Sequence, residues 1–225
     1  MSQTRTLVEP PAATRPVLAA RIAGGLALAH VVVLFAAFSV EGVAAAEHGT
    51  APAKLFDLYS GAPLTRTLLA GYAESVAFLI MVPAVVILGW LFSRHTTPGR
   101  LAAQSFVAFG IAYVASTLAV GFPPGAAAIY AAHHGVDTGS LAMVNDIRNF
   151  GFVLQVALTG AMALALGVAA RLEGRNTRWI GWGGIGFGVL AVVATPFAPN
   201  VISMLFVVWW VGLAVILLRD KSTQE

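Results

Sequence analysis

Six apolar blocks, each roughly 20 residues long, divide the chain at about 17–40, 67–92, 101–122, 147–170, 179–197 and 201–218. A helix of that length, rising ~1.5 Å per residue, reaches across the ~30 Å hydrocarbon core of a bilayer. Lipid supplies no hydrogen-bond partners, so only helices or closed barrels satisfy every backbone group there. Uninterrupted apolar blocks lack the alternation a barrel strand needs. The pattern predicts an all-α fold: a polytopic transmembrane helix bundle of six spans over residues 17–219. Residues 1–16 hold three prolines and no apolar periodicity and read as a disordered tail, with a second short tail at 220–225. Two connections on one side are long, about 41–65 and 123–138, and the other side's are short and basic. The first long connection carries Leu55-Phe56-Asp57-Leu58-Tyr59, a short amphipathic piece suited to an interface.

Composition agrees with the pattern. The chain is 58% hydrophobic and 10% charged, against about 25% charged residues in an ordinary soluble domain. Charge then adds an orientation. Arg5, Arg15, Arg21, Arg94, Arg100, Arg171, Arg175, Arg178, Arg219 and Lys221 fall on one side of the spans, and Lys54, Arg66 and Arg148 on the other. Such asymmetry predicts that both ends are cytoplasmic, N-in and C-in. The pI near 9.7 is thus a topology code with contacts to anionic lipid heads, and no nucleic-acid partner is expected. Trp90, Trp179 and Trp182 stand at the inner ends of spans, where an aromatic belt belongs. The preference for Arg over Lys, with abundant Ala and Gly, points to a bacterial cytoplasmic membrane. Residues 1–46 also have the outline of a secretory signal ending at Ala44-Ala45-Ala46. A signal's apolar core is ~7–15 residues, and this stretch is longer, so a retained first span is expected.

Ionisable groups inside a membrane cost roughly 2.5–3.5 kcal/mol each and are functional candidates by default. Glu74 lies ~12 Å below the outer end of the second span and His30 ~15 Å below that of the first. Their similar depth predicts an inter-helical pair, either a structural hydrogen bond or a protonation site. Pro83 lies deeper on the helix of Glu74 and removes a bond to the Leu79 carbonyl, which predicts a kink. The stretch Val144-Asn145-Asp146-Ile147-Arg148-Asn149 packs polarity against the start of the fourth span. A helix starting at Asp137-Thr138 and running to about Ala170 overshoots the length needed to cross, so Asn145 and Asp146 stand above the hydrocarbon. Helical spacing aligns Asn145, Arg148, Asn149, Phe152, Gln155 and Thr159 in one stripe, expected to face the bundle interior. Arg148 reaching Glu74 is a second expected pair; the plainer alternative is an arginine snorkelling to headgroups.

Other candidate chemistry is weak. His133 and His134 with His48, Glu47 and Asp137 form a possible outer set of metal ligands, but adjacent histidines on a helix diverge by ~100° and no HExxH spacing occurs. No cofactor is expected. A bis-histidine haem needs two histidines within spans, a retinal needs a lysine there, and neither condition is met. With no cysteine, neither disulfide nor thiolate chemistry is available. Gly181-Trp182-Gly183-Gly184-Ile185-Gly186 matches a dinucleotide fingerprint but follows no strand, so Gly184 and Gly188 read as a face for close helix packing. Trp209-Trp210 reads as bulk in the core or against lipid.

Three stretches carry a resemblance: Ala20-Arg21-Ile22-Ala23-Gly24-Gly25, Ala170-Arg171-Leu172 through Trp179-Ile180-Gly181-Trp182-Gly183, and Trp210-Val211-Gly212 to Leu218-Arg219. Together they resemble bacterial six-span membrane proteins grouped as a domain of unknown function, which implies the layout and no activity or site residues. The expected function is binding or transport of a small solute or lipid through an outward-open polar cavity, proton-linked through Glu74. The alternatives are a non-catalytic membrane subunit or sensor with a protein partner, and a membrane enzyme using the outer histidines and carboxylates; six spans are few for a transporter monomer, so a homo-oligomer is expected.

Overall fold

The computed structural model describes residues 14–41, 46–93, 96–135, 138–173 and 178–219, and among these it is helical without strands. The helices are α1 (Thr14–Val40), α2 (Pro52–Ser60), α3 (Leu64–Leu91), α4 (Thr97–Val120), α5 (Phe122–His133), α6 (Thr138–Leu172), α7 (Gly184–Ala194) and α8 (Pro199–Arg219), with one π-helical turn (Trp179–Gly183) leading into α7. Five segments are long and apolar enough to cross a membrane: Pro16–Val40, Leu64–Leu91, Thr97–His133, Gly139–Leu172 and Pro199–Arg219. The block predicted at 179–197 forms the shorter apolar helix Trp179–Ala194. This is a multi-pass, helical membrane bundle.

Neighbouring long helices run antiparallel. Arg66, opening α3, donates its Nε to the Val40 carbonyl that closes α1, at 2.6 Å. Gly24 near the start of α1 lies against Ala214 and Leu218 near the end of α8. At the end away from α2 and α5, Thr96 caps α4 by accepting from the Gly99 N–H at 3.0 Å. The Glu173 carboxylate at the end of α6 accepts from the Thr96 N–H at 3.0 Å and from its hydroxyl at 3.2 Å. One acidic side chain thus ties two connections together beside a helix N-terminus, where negative charge is favoured. The arginines predicted on this side whose side chains are described (Arg21, Arg100, Arg171, Arg178 and Arg219) are all exposed, and the Arg171 guanidinium lies 4.9 Å over the Trp182 ring. Arg5, Arg94, Arg175, Lys221 and both predicted tails except residues 14–16 fall outside the described residues, as does the proposed cleavage region at 44–45.

The backbones of α6 and α7 approach closely. A Cβ on Gly188 would lie 2.6 Å from the Leu164 nitrogen and 2.7 Å from the Gly160 oxygen, and one on Gly184 would lie 2.8 Å from the Ala163 oxygen. Without side chains here the two backbones meet directly, the use expected of Gly184 and Gly188 in lipid, where association depends on close packing. Trp209 and Trp210 are 2% and 0% exposed and belong to the core rather than the lipid-facing surface.

One sequence expectation needs correcting. The long connection at 123–138 is mostly helix α5, whose first turn holds Pro123 and Pro124. Proline reads as a breaker, yet in a first turn its fixed φ and missing N–H cost nothing, and Ala126, Ala127 and Ala128 then propagate the helix. Pro83 stands inside α3, as its sequence position predicts.

Candidate functional site

Three helices turn matched stripes toward one interior. On α3, Thr67, Gly71, Glu74 and Phe78 recur at spacings of four and three; on α6, Arg148, Phe152, Gln155 and Thr159 do the same. On α1, His30, Leu34 and Phe38 lead up to Glu41, the first residue beyond the helix. Two cavities open between these stripes, and Glu74 lines both.

The upper cavity, about 60 Å³, brings Glu41, Tyr59, Glu74 and Arg148 together beneath α2 and α5. Gly125 of α5 makes room for Arg148: a Cβ there would lie 3.1 Å from the guanidinium carbon. Arg148 shares that cavity with Tyr59, Glu41 and Glu74, so its charge acts on the groups around it. Tyr59 in turn donates to Asn145 Oδ1 at 2.8 Å. Burial pushes the Glu41 carboxyl above its ordinary range, and the nearby Arg148 charge opposes that rise. Burial likewise raises the Tyr59 phenol, against the nearby Arg148 charge.

The lower cavity is larger, about 130 Å³, and mostly apolar. Its aromatic wall comprises Phe35, Phe38, Phe78, Tyr113, Phe152 and Phe206. Edge-to-face contacts link His30 to Phe78 at 5.3 Å, Phe78 to Tyr113 at 5.7 Å and Tyr113 to Phe206 at 6.0 Å. Gln155, Thr159, Thr117 and Ser203 supply polarity. The three hydroxyls donate to carbonyls of their own helices, which leaves acceptor oxygens toward the cavity. Gln155 Nε2 makes a long contact, 3.4 Å, to the Ser116 carbonyl. Both cavities hold water-sized space, and the lower one holds a few small-molecule heavy atoms, less than the ~300 Å³ and upward of drug-sized pockets.

The sequence-nominated residues separate into three groups. Glu74, Arg148, His30, Gln155 and Thr159 line the cavities. His30 does not pair with Glu74 as expected: its Nδ1 meets the Ala77 carbonyl at 2.8 Å, one helical turn deeper on α3. Asn145, Asp146 and Asn149 serve the connection between α1 and α2. Asn145 Nδ2 donates to the Glu47 carbonyl at 3.0 Å and Asn149 Nδ2 to the Ala46 carbonyl at 3.0 Å. Asp146 Oδ1 accepts from the Gly49 N–H at 3.1 Å, where Gly49 takes a φ of +70° that other residues avoid. The third group is the outer metal set, which is dispersed. His133 Nε2 meets the Ala62 carbonyl at 2.9 Å, and His134 Nδ1 meets the Tyr130 carbonyl at 2.7 Å. His48 lies 6.1 Å from the Phe150 ring, and Asp137 falls outside the described residues. Among the described residues no three His, Cys, Asp or Glu side chains gather as a metal site.

Sequence reasoning missed Glu41, Tyr59 and Tyr113. A carboxylate at the mouth of the first span was a signal for Glu41, whereas Tyr59 meets Asn145 across 86 residues of sequence with no local trace. No protein-family model, no characterised protein and no solved structure matches this chain.

Proposed function

We propose that this chain crosses a bacterial cytoplasmic membrane six times, with both ends inside, and binds or carries a small solute or lipid group through its outward-side cavities, linked to protonation of Glu74. Six crossings are supported by the antiparallel run of neighbouring helices and by the exposed arginines at the end away from α2 and α5. In this orientation the π-helical turn and α7 form the fifth crossing, packed along α6 where neighbouring helices shield a short span. The observation that carries the functional reading is Glu74 standing in the wall of both chambers. A carboxyl in that position exchanges protons with the outer, arginine-containing cavity while facing whatever occupies the aromatic one. An intramembrane carboxylate serving only to join helices would instead be spent on a neighbouring donor.

The test is proton movement in proteoliposomes loaded with a pH-sensitive dye and given an inward proton gradient. Wild-type protein is expected to dissipate the gradient several-fold faster than Glu74→Gln, with Glu74→Asp between them. Equal rates for wild type and Glu74→Gln would remove Glu74 from any proton-linked role.

A further inference from the structure

The lower cavity combines features that specify a ligand charge. Six aromatic rings and one carboxylate line it, and among the described residues no lysine or arginine does. Ring faces carry negative electrostatic potential and attract cations, most strongly where water is excluded. Arg148 lines the upper cavity and not the lower one. Of the two carboxylates near Arg148, Glu74 is the one that also faces the aromatic wall, where it can ionise against a bound cation. His30 is held by the Ala77 carbonyl and adds a ring that is buried to 2% exposure. Phe35, Phe38 and Met204 form part of the wall while being 42%, 42% and 53% exposed on the bundle's apolar exterior. The chamber is therefore bordered on the lipid side by side chains that a hydrophobic molecule can displace.

We infer that the lower cavity binds a small organic cation, an alkyl- or aryl-substituted ammonium, with Glu74 as its counter-ion and the aromatic wall around its apolar groups. This deepens the solute-binding reading and rests on it. The groups facing Glu74 from the surrounding elements are His30 and Glu41 from α1 and its end, Tyr113 from α4, and Arg148 from α6, with Tyr59 of α2 behind Arg148. Cation and proton compete for one carboxylate: binding breaks the O–H bond of protonated Glu74, and the proton leaves through the upper cavity to the outer solution.

The experiment is calorimetric titration of the purified full chain in detergent with benzyltrimethylammonium, N,N-dimethylbenzamide as the neutral analogue and phenylacetate as the anion. Titrations in two buffers of different ionisation enthalpy count the protons released. Benzyltrimethylammonium is expected to bind, releasing up to one proton and binding more weakly as pH falls. Glu74→Gln should abolish the proton release and weaken binding by ~10-fold or more. Phe38→Leu, at a half-exposed wall position, should weaken it by ~5-fold while leaving the melting temperature unchanged. Binding of the amide or phenylacetate in preference to the cation overturns the cation assignment and leaves the solute-binding reading standing. Cation binding that is indifferent to Glu74→Gln, or that releases no proton, also overturns it. If no probe binds, the cation assignment falls. The proton-flux comparison then decides separately whether a proton-linked solute site survives.

Discussion

In the proposed orientation, the outer and inner halves of α6 behave as two different materials. Above Thr159 the helix spends its polar side chains on other elements: Asn145 and Asn149 hold the chain at 46–47, and Gln155 and Thr159 border a cavity. Below it, Met162, Ala163, Leu166, Ala169 and Ala170 are all 0% exposed and pack into the main core with Met81, Ala84 and Leu88 of α3. A Cβ on Gly167 there would lie 2.7 Å from both the Gly181 oxygen and the Ile185 nitrogen. One half is hydrogen-bonded and hollow, and the other is dry and filled to contact. In lipid, dry packing gives stability through contact alone, whereas polar groups are retained where they meet one another or something bound. In that orientation the outer half holds the polar groups and the cavities, and the inner half closes them off from the cytoplasmic side.

The largest effect that distinguishes the halves comes from filling the inner contact. Gly167→Val should push α6 away from the π-helical turn and α7 and destabilise the bundle by ~3 kcal/mol, the upper part of the usual overpacking range. The same enlargement at Ala126, which lines the upper cavity, should cost under ~1 kcal/mol. Equal melting temperatures for the two variants in detergent would erase the contrast. Next in size is Asn145→Leu, which leaves the Tyr59 hydroxyl and the Glu47 carbonyl without their partners. It should cost ~2 kcal/mol and hasten proteolysis between residues 46 and 60, with little change in the inner half.

The smallest effect is one of pH. Burial raises the Glu41 carboxyl and Arg148 opposes the rise. A carboxyl raised in the folded state contributes stability that is complete below its unfolded value and is lost as pH climbs through the folded one. Wild-type stability should therefore decline as pH rises just above the ordinary glutamate range, and Glu41→Gln should flatten that decline. Superimposable melting curves against pH for the two proteins would show that Glu41 is not held in the buried mouth.

Most of the fold was legible because membrane helices write themselves as uninterrupted apolar blocks. Even the overlong α6 was readable from its cap-like start and its length beyond a span. The stripe from Arg148 to Thr159 was readable too, since periodicity alone places those residues on one face. What escaped the sequence depended on contacts between distant segments or on backbone atoms. His30 was expected to choose a side chain, Glu74, but found the Ala77 carbonyl, which no residue pattern displays. The α5 helix was hidden because its paired prolines resemble a loop until the helix start is known. Asn145 and Asn149 look like ligand-binding residues in sequence, and only the folded connection at 46–49 shows what their amides hold.

Because the chain has no cysteine, its central claim can be tested directly by placing one cysteine at a time. Thr159→Cys marks the floor of the lower cavity and Leu166→Cys the sealed core two turns below. Proteoliposomes or spheroplasts would be treated from the outer side with a small, water-soluble, cationic methanethiosulfonate reagent. Rapid modification at 159 and protection at 166, with Glu74→Gln slowing the reaction at 159, is the result this account predicts. Equal modification of both positions, or modification at 166 alone, would contradict an outward chamber closed by a dry inner half.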